Sequence, residues 1–385
     1  MSSDKFTRML AEQDAKWRDP QQIVTQWPGS QHVDPELLQQ RVSTKWWEIL
    51  EAARMTLFVT REYEHLVIAM TVLDGRPTIS YLPIPHPSGL VVNTARNTLH
   101  IASTRNPNMI FDFSTPAGQN NQIEKGYFGK TLLPRRARFY PGSLYLHDLA
   151  ILAGKLHANA VGQNAIIELR DDGEYKRVWW PSCIEKNGQP LFDRNYIQLN
   201  SIGAGYDLAS SHFSASTDKP GWRRPGHRNF PVDGRGVIFS GATREPITSG
   251  LTRPHSVRHY DGNIYIDNSG YGELAVVDGG RIKTIARLPG WTRGLAFHEG
   301  IAFVGTSRVI PRFKMYAPGL DVEKSECGLH AVDLKTGQIL ASMFWPQGNQ
   351  IFAIDLAPQE MTHGFAARVG TRRALENERK FFYTF

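Results

Sequence analysis

One stretch of the sequence decides the fold: residues 254–289 read PHSVRHYDGNIYIDNSGYGELAVVDGGRIKTIARLP. Four short runs rich in β-branched and aromatic residues alternate here with Gly, Asn and Asp, and Asp261-Gly262 is a hairpin turn signal. Runs of this kind predict antiparallel neighbouring strands. The stretch therefore predicts one four-stranded antiparallel sheet that ends at a proline.

The same unit recurs along the chain, and a proline marks the end of its fourth strand each time. The runs that end at a proline are residues 79–83, 137–141, 177–181, 250–254, 285–289 and 342–346. Regular recurrence of four-stranded units is typical of β-propellers, in which each unit forms one blade. The sequence predicts an all-β fold, a six-bladed β-propeller of four-stranded antiparallel blades.

The first and last units are incomplete in complementary ways. Three β-type runs precede Pro83, the first of these strand-ending prolines, at residues 56–60, 65–72 and 78–82, whereas residues 351–356 form a single final run. A closed ring leaves no open sheet edge and joins the chain ends. We therefore expect residues 351–356 to pair with residues 56–60, so that N- and C-terminal strands close one blade together.

Residues 1–54 differ from the rest and predict a helical N-terminal segment, with helices over 6–18 and 36–54. Asp34 can cap the second helix and Pro35 can occupy its first turn. We expect Trp46 and Trp47 to pack against the propeller. The propeller is predicted over residues 55–357, and a C-terminal tail over 358–385.

Charge and hydropathy restrict the partners. The net charge of +7 is spread along the chain, and its densest spots, near residues 135–138 and 222–228, lie in Pro- and Gly-rich contexts without a nucleic-acid-binding motif. No apolar run is long enough to span a bilayer or to serve as a secretory signal, and the two cysteines form no disulfide framework. We predict no nucleic-acid partner, no membrane association and a cytoplasmic location.

Several stretches resemble an uncharacterised bacterial family of conserved hypothetical proteins, a domain of unknown function. They are residues 254–258, 261–262, 268–274, 289–297, 199–200, 221–223 and 327–328. The resemblance covers most of residues 55–357 and implies a propeller. The family usually has a histidine at the position of Gln198 and an acidic residue near Gln350, so a site built on those two positions would be altered in this chain.

At greater distance, the blade layout is similar to that of the gluconolactonase, paraoxonase and strictosidine synthase propellers. That similarity implies that a substrate, and often a divalent metal, lies at one mouth of the central channel. In the gluconolactonase group the metal ligands are acidic or amide residues that open the innermost strands, and Asn200 and His255 occupy matching positions here.

A ring of polar residues follows from the alignment of the units. Residues 147–166 align without a gap with residues 255–274, and residues 293–305 join the same register. The aligned positions that open the innermost strands are Ser88, His147, Asn200, His255 and Arg293, with Gln350 or Phe352 from the last blade. We interpret this ring as a ligand-binding or catalytic site, and a water-filled channel that tolerates polar side chains is the alternative.

Each member of the ring suggests a role. His255 and His147 can act as general base or acid near neutral pH, and Arg293 can hold a carboxylate or phosphate of the substrate, so these three are the predicted catalytic residues. The predicted substrate-binding residues are Asn200, Ser88, Asp148, Gln198, Arg258 and Trp222.

A metal is a second option for the ring. His147, His255 and Asn200 would suit a divalent transition metal such as Zn, Fe, Cu or Mn. Calcium is disfavoured, because the ring offers no carboxylate unless Asp148 or Asp355 turns inward. Arg293 at the same level would repel a cation unless an anion lay between them.

The sequence thus predicts an enzyme that acts on a small, anionic metabolite or natural-product intermediate at the channel mouth. Lyase, isomerase, hydrolase and metal-dependent oxidation all remain open as reaction classes. The alternative is a non-catalytic ligand- or protein-binding scaffold, because fold does not fix function. A closed pocket under the long loops 182–196 and 217–235 would favour the enzyme, and an open channel with an apolar rim would favour the scaffold. The oligomeric state stays open.

Overall fold

The computed structural model describes residues 33–365 except 106, 116–129, 222–229 and 231–232, together with residues 4–5, 7–8 and 11–12. The α-helices beyond residue 33 are α1 Pro35–Leu38 and α2 Thr44–Ala53. The strands are β1 Arg41–Val42, β2 Met55–Arg61, β3 Leu66–Leu73, β4 Arg76–Pro83, β5 Pro87–Asn93, β6 Thr98–Ser103, β7 Asn108–Ser114, β8 Thr131–Tyr140, β9 Leu146–Leu152, β10 Lys155–Ala160, β11 Ala165–Leu169, β12 Tyr175–Trp179, β13 Glu185–Lys186, β14 Gln189–Pro190, β15 Leu199–Gly203, β16 His212–Ala215, β17 Gly236–Ser240, β18 Pro246–Leu251, β19 Pro254–Tyr260, β20 Asn263–Asn268, β21 Glu273–Asp278, β22 Arg281–Arg287, β23 Trp291–His298, β24 Ile301–Ser307, β25 Gly328–Asp333, β26 Ile339–Phe344, β27 Ala353–Pro358 and β28 Gly364–Phe365.

Six antiparallel sheets form the blades of a propeller, as the repeat predicts. From the innermost strand outward, blade 1 is β27-β2-β3-β4, blade 2 is β5 to β8, blade 3 is β9 to β12, blade 4 is β15 to β18, blade 5 is β19 to β22 and blade 6 is β23 to β26. Each innermost strand contacts the innermost strands of the two neighbouring blades, and β23 contacts β27 to complete the ring. The predicted fold class is confirmed.

Both faces of each blade are covered by its neighbours, and this explains the nearly continuous apolar runs in the sequence. In β3, Leu66, Ile68 and Met70 belong to the core shared with blade 6, whereas Val67 and Ala69 pack toward blade 2. Successive side chains of a strand point to opposite faces, so a blade between two neighbours needs apolar residues on both. The core is therefore a set of layers between blades.

The ends of the chain meet in blade 1. Strand β27 pairs antiparallel with β2, from Met55 opposite Pro358 to Thr60 opposite Ala353. The expected closure is confirmed, although the strand begins at Ala353 rather than at residue 351. At the outer rim, β1 pairs with β26 and β28 pairs in parallel with β8, so both extra strands cover sheet edges that would otherwise be open.

The helix predicted over 36–54 is interrupted, and this part of the prediction is wrong. Asp34 caps α1 as expected, because its carboxylate accepts a hydrogen bond from the Glu36 backbone N–H at 3.0 Å. The chain then leaves the helix, because residues 41–42 gain strand hydrogen bonds along the edge of β26. The helix predicted over 6–18 lies largely outside the described residues.

Helix α2 braces the side of the propeller between blades 6 and 1, as predicted for its tryptophans. Trp46 is buried and meets the ring of Phe303 edge-on, with the centroids 6.0 Å apart, and Trp47 packs on the same core at partial burial. No helix in the described part of the chain is both long and apolar enough to cross a bilayer.

Replacing Trp46 with alanine should lower the free energy of unfolding by about 3–5 kcal/mol, because a fully buried indole leaves a cavity between two blades. Urea denaturation of the full chain measures the change. Trp47→Ala is the matched control and should cost clearly less, since Trp47 is only partly buried. Equal losses for the two variants would contradict the brace formed by Trp46.

Candidate functional site

A cavity of about 830 Å³ opens at the end of the propeller where the innermost strands begin. All six blades contribute to its lining, together with residues 192–195 from the long loop after β12. The volume falls within the range of small-molecule sites. The cavity therefore lies at the level where the predicted ring of polar residues opens the innermost strands.

Two levels of residues recur around the cavity, although not every side chain in them lines it. The deep ring consists of the predicted positions and Phe352, namely Ser88, His147, Asn200, His255, Arg293 and Phe352. A second level lies at or just before the start of each innermost strand. This upper ring consists of the residues two positions earlier, namely His86, Tyr145, Gln198, Arg253, Trp291 and Gln350, and all of them except His86 line the cavity.

Four upper-ring residues have left-handed backbone conformations. The φ angles are 46° at His86, 56° at Tyr145, 50° at Gln198 and 53° at Arg253. A non-glycine residue in this region costs on the order of 1 kcal/mol, and such strain clusters at binding and catalytic sites. Its repetition in four neighbouring blades shows that the chain turns in the same way before each of their innermost strands.

Arg293 closes the channel at the deep ring. It belongs to blade 6 and His147 belongs to blade 3, the opposite blade, yet Arg293 Nη2 lies 3.4 Å from His147 Nδ1. The guanidinium therefore reaches across the channel axis. Its central carbon lies 3.2 Å from the centroid of the Phe352 ring, a cation–π contact. The cavity is a closed pocket rather than an open pore.

Arg253 is a second buried guanidinium in the pocket. It donates to Gln198 Oε1 at 2.6 Å and lies 4.2 Å above the ring of Tyr316. Burial lowers the pKa of both Arg253 and Arg293 to about 10, which still leaves them charged at neutral pH. Neither forms an ion pair with a carboxylate of the described residues, although the more distant carboxylate of Glu62 offsets part of the charge of Arg293.

His255 is held in a defined tautomer. Its Nδ1 lies 2.9 Å from the carbonyl oxygen of Arg253, which can only accept, so Nδ1 carries the proton. Burial, and then the charges of Arg293 and Arg253, hold the pKa of His255 well below 6.5. The imidazole is neutral near pH 7, and Nε2 is its basic nitrogen.

His147 takes the opposite tautomer. Its Nδ1 faces the Arg293 guanidinium, which can only donate, so the proton lies on Nε2. Burial and the two arginines also keep the pKa of His147 well below 6.5. The ring lies between Tyr145 and Phe352, at centroid distances of 4.8 and 5.2 Å. His147 is thus positioned to orient Arg293, whereas His255 keeps its basic nitrogen for a ligand.

Comparison with known proteins gives the family. Residues 44–364 match the profile of a domain of unknown function, DUF4915. The chain belongs to the DUF4915 family. No curated protein gives a significant match to it.

Solved structures similar to this DUF4915 protein share little sequence with it. A structure of a nidogen/laminin complex has 10% identity and a TM-score of 0.52, and covers 79% of this chain and 98% of that one. A gluconolactonase from Xanthomonas campestris has 15% identity and a TM-score of 0.43, covering 76% and 86%. A streptogramin B lyase has 12% identity and a TM-score of 0.39, covering 65% and 72%. At these identities the likeness concerns the fold alone.

The structure places His147, His255, Arg293 and Gln198 in the pocket of the DUF4915 protein, but not Ser88 or Asn200. The Ser88 hydroxyl donates to the carbonyl oxygen of Leu146, and the Asn200 amide donates to that of Pro254, both at 2.9 Å. These two side chains connect neighbouring blades instead of lining the cavity.

Asp148 and Arg258 lie farther along the innermost strands, outside the lining of the pocket. They form a two-pronged ion pair, with Arg258 Nη1 2.8 Å from Asp148 Oδ2 and Nη2 3.1 Å from Oδ1. The pair joins blades 5 and 3 across the channel. Trp222 lies outside the described residues, as does most of the 217–235 loop.

The pocket holds functional candidates that the sequence prediction missed. Arg253 and Tyr145 could have been found from their constant offset of two residues from the predicted ring. Glu62 gave no such signal because it lies in the loop after β2. Its Oε1 accepts a hydrogen bond from the Thr104 hydroxyl at 2.9 Å and lies 3.4 Å from Arg105 Nη2, which fixes a buried carboxylate at the pocket wall.

The residues of the DUF4915 pocket do not fit a divalent metal. The predicted ligands were His147, His255 and Asn200, but the basic nitrogen of His147 faces a guanidinium, and Asn200 is not among the residues that line the cavity. Within the described ranges, no three His, Cys, Asp or Glu side chains are grouped so that they could hold a metal ion. Two buried arginines favour an anion at this position.

Proposed function

We propose that this protein is an enzyme that acts on a small anionic metabolite or natural-product intermediate in the pocket at the mouth of the propeller channel. One observation carries the proposal. Two buried guanidiniums that form no ion pair with a carboxylate of the described residues, Arg253 and Arg293, lie beside the neutral imidazole of His255, whose Nε2 is basic. A buried charge without a counter-charge is costly unless a ligand supplies one.

The roles follow from this chemistry. Arg253 and Arg293 hold a carboxylate or phosphate group of the substrate. His255 Nε2 removes a proton from the substrate, and the guanidinium of Arg293 stabilises the negative charge that develops. His147 orients Arg293, and the imidazolium formed at His255 returns the proton to another atom of the substrate or to the leaving group. This arrangement favours lyase or isomerase chemistry that begins with proton abstraction next to the anionic group.

A non-catalytic scaffold is less well supported. The contact between Arg293 and His147 closes the channel beneath the pocket. The large apolar side chains exposed in the described part of the chain are Phe139, Tyr206, Met315 and Ile339, and none of them lines the cavity. A concave pocket without a rim of exposed large apolar side chains among the described residues is more suited to a small ligand than to a protein partner.

Replacing Arg253 and Arg293 together with methionine should weaken the binding of inorganic phosphate at least 100-fold. It should also raise the melting temperature of the ligand-free protein, because two buried charges that form no ion pair with the described residues are removed. Isothermal titration and thermal denaturation measure the two effects. Arg281→Met, at an exposed position on β22, is the control and should change neither. Unchanged phosphate affinity in the double variant would refute the anion site.

A further inference from the structure

The pocket is larger than a bare anion requires, and much of its wall is aromatic. Its volume of about 830 Å³ suits a ligand of drug-like size. Aromatic side chains contribute from several directions, namely Tyr63, Tyr145, Phe192, Trp291, Tyr316 and Phe352. The anion site at Arg253 and Arg293 explains only the deep part of this space.

Some of these rings already support guanidinium groups. Phe352 lies under Arg293, Tyr316 under Arg253, and Phe192 lies 4.6 Å from the guanidinium carbon of Arg177. These contacts hold the cations in place. They account for the aromatic residues of the floor and of one wall.

Tyr145 and Trp291 lie beside the deep-ring histidines. The centroid of the Tyr145 ring, which also contacts the Arg105 guanidinium at 5.6 Å, is 4.8 Å from that of His147. The centroid of the Trp291 ring is 6.0 Å from that of His255. Both belong to the upper ring, on the opposite blades 3 and 6, each two residues before the deep-ring residues His147 and Arg293. Tyr145 immediately precedes β9 and Trp291 begins β23, so both lie where the cavity opens at the start of the innermost strands. Aromatic side chains that line the pocket from two opposite blades, together with a cationic floor, match a ligand with an anionic end and a flat body.

We propose that the substrate is a planar unsaturated ring compound that carries a carboxylate or phosphate group. The anionic group binds at Arg253 and Arg293, and the ring lies in the upper part of the pocket between Tyr145 and Trp291. This inference rests on the proposed anion site and adds the substrate class to it.

A small panel of probes tests the class on the wild-type protein by isothermal titration. 2-Naphthoate should bind at least 100-fold more tightly than acetate, and the neutral 2-naphthamide should bind at least 100-fold more weakly than 2-naphthoate. Benzoate should bind about tenfold more tightly than cyclohexanecarboxylate, its saturated counterpart. Comparison of benzoate with phenyl phosphate distinguishes the two kinds of anionic group.

Variants locate the ring within the pocket. Tyr145→Leu and Trp291→Leu should each weaken the binding of 2-naphthoate at least tenfold and leave the affinity for inorganic phosphate unchanged. Unchanged phosphate binding would also show that the variants are folded. Tyr206→Leu is the control, because Tyr206 is 82% exposed and outside the pocket. If 2-naphthoate binds no better than acetate, the substrate class is overturned while the anion site stands. If neither phosphate nor any acid of the panel binds, both fail.

Discussion

Replacing His255 with alanine should lower kcat/KM by about 10²–10⁴-fold, the range expected when a general base is lost. Nε2 is the basic nitrogen of the ring, because Nδ1 is committed to the Arg253 carbonyl. The variant should stay folded, since His255 faces a cavity instead of filling the core between blades. Binding of 2-naphthoate should persist, because both arginines remain. The expected signature is loss of turnover with ligand affinity retained.

His157 provides a matched control. Its Nδ1 lies 3.0 Å from the carbonyl oxygen of Lys155, two residues earlier, which repeats the local geometry of His255, but it lies outside the pocket. His157→Ala should therefore leave turnover intact. A product-formation assay on an aromatic acid that the wild type converts compares the two variants. Turnover that survives in His255→Ala would remove His255 from the mechanism.

The pH dependence follows from the same environment. Burial and the two arginines hold the pKa of His255 well below 6.5, so the free enzyme keeps its base deprotonated as the pH falls through 6.5. The acid limb of kcat/KM should consequently lie below pH 6.5. A bound anion partly offsets the charge of the arginines and favours the imidazolium form of His255. The acid limb of kcat should therefore lie at higher pH than the acid limb of kcat/KM. A limb of kcat/KM above pH 6.5 would contradict this assignment.

The fold was predictable because a repeat multiplies weak signals. Each blade by itself is four short strands, but the recurrence of the unit fixed the number of blades and the missing strands fixed the closure at β27. The interrupted helix was not predictable from local sequence. Residues 41–42 leave the helical path for hydrogen bonds with β26, which is some 300 residues away in the chain.

The site was predictable only where register decides side-chain direction. His147, His255 and Arg293 share one register and meet in the pocket, whereas Ser88 and Asn200 share it too but bind carbonyl groups of the next blade. A short polar side chain next to a neighbouring backbone carbonyl donates a hydrogen bond to that carbonyl instead of facing the cavity. Register alone cannot separate these two outcomes.

Removing Arg258 should be among the most destabilising single substitutions in the chain. Arg258 binds both oxygens of Asp148 and donates to the carbonyl oxygen of Ile202 at 2.9 Å, deep in the channel. It also offsets the buried carboxyl of Asp355, whose pKa burial raises to about 6. Arg258→Met leaves Asp148 buried without its partner, and we expect a loss of about 3–5 kcal/mol in the free energy of unfolding.

Charge burial, rather than the ion pair itself, should account for that loss. The double variant Arg258→Met, Asp148→Leu should therefore recover at least half of it in urea denaturation, because no unpaired charge is left. Arg287→Met is the control: its guanidinium lies 2.7 Å from Glu273 but is 69% exposed, so its removal should cost less than about 1 kcal/mol. If the double variant were as unstable as Arg258→Met, the bridge between blades 5 and 3 would itself be the stabilising element.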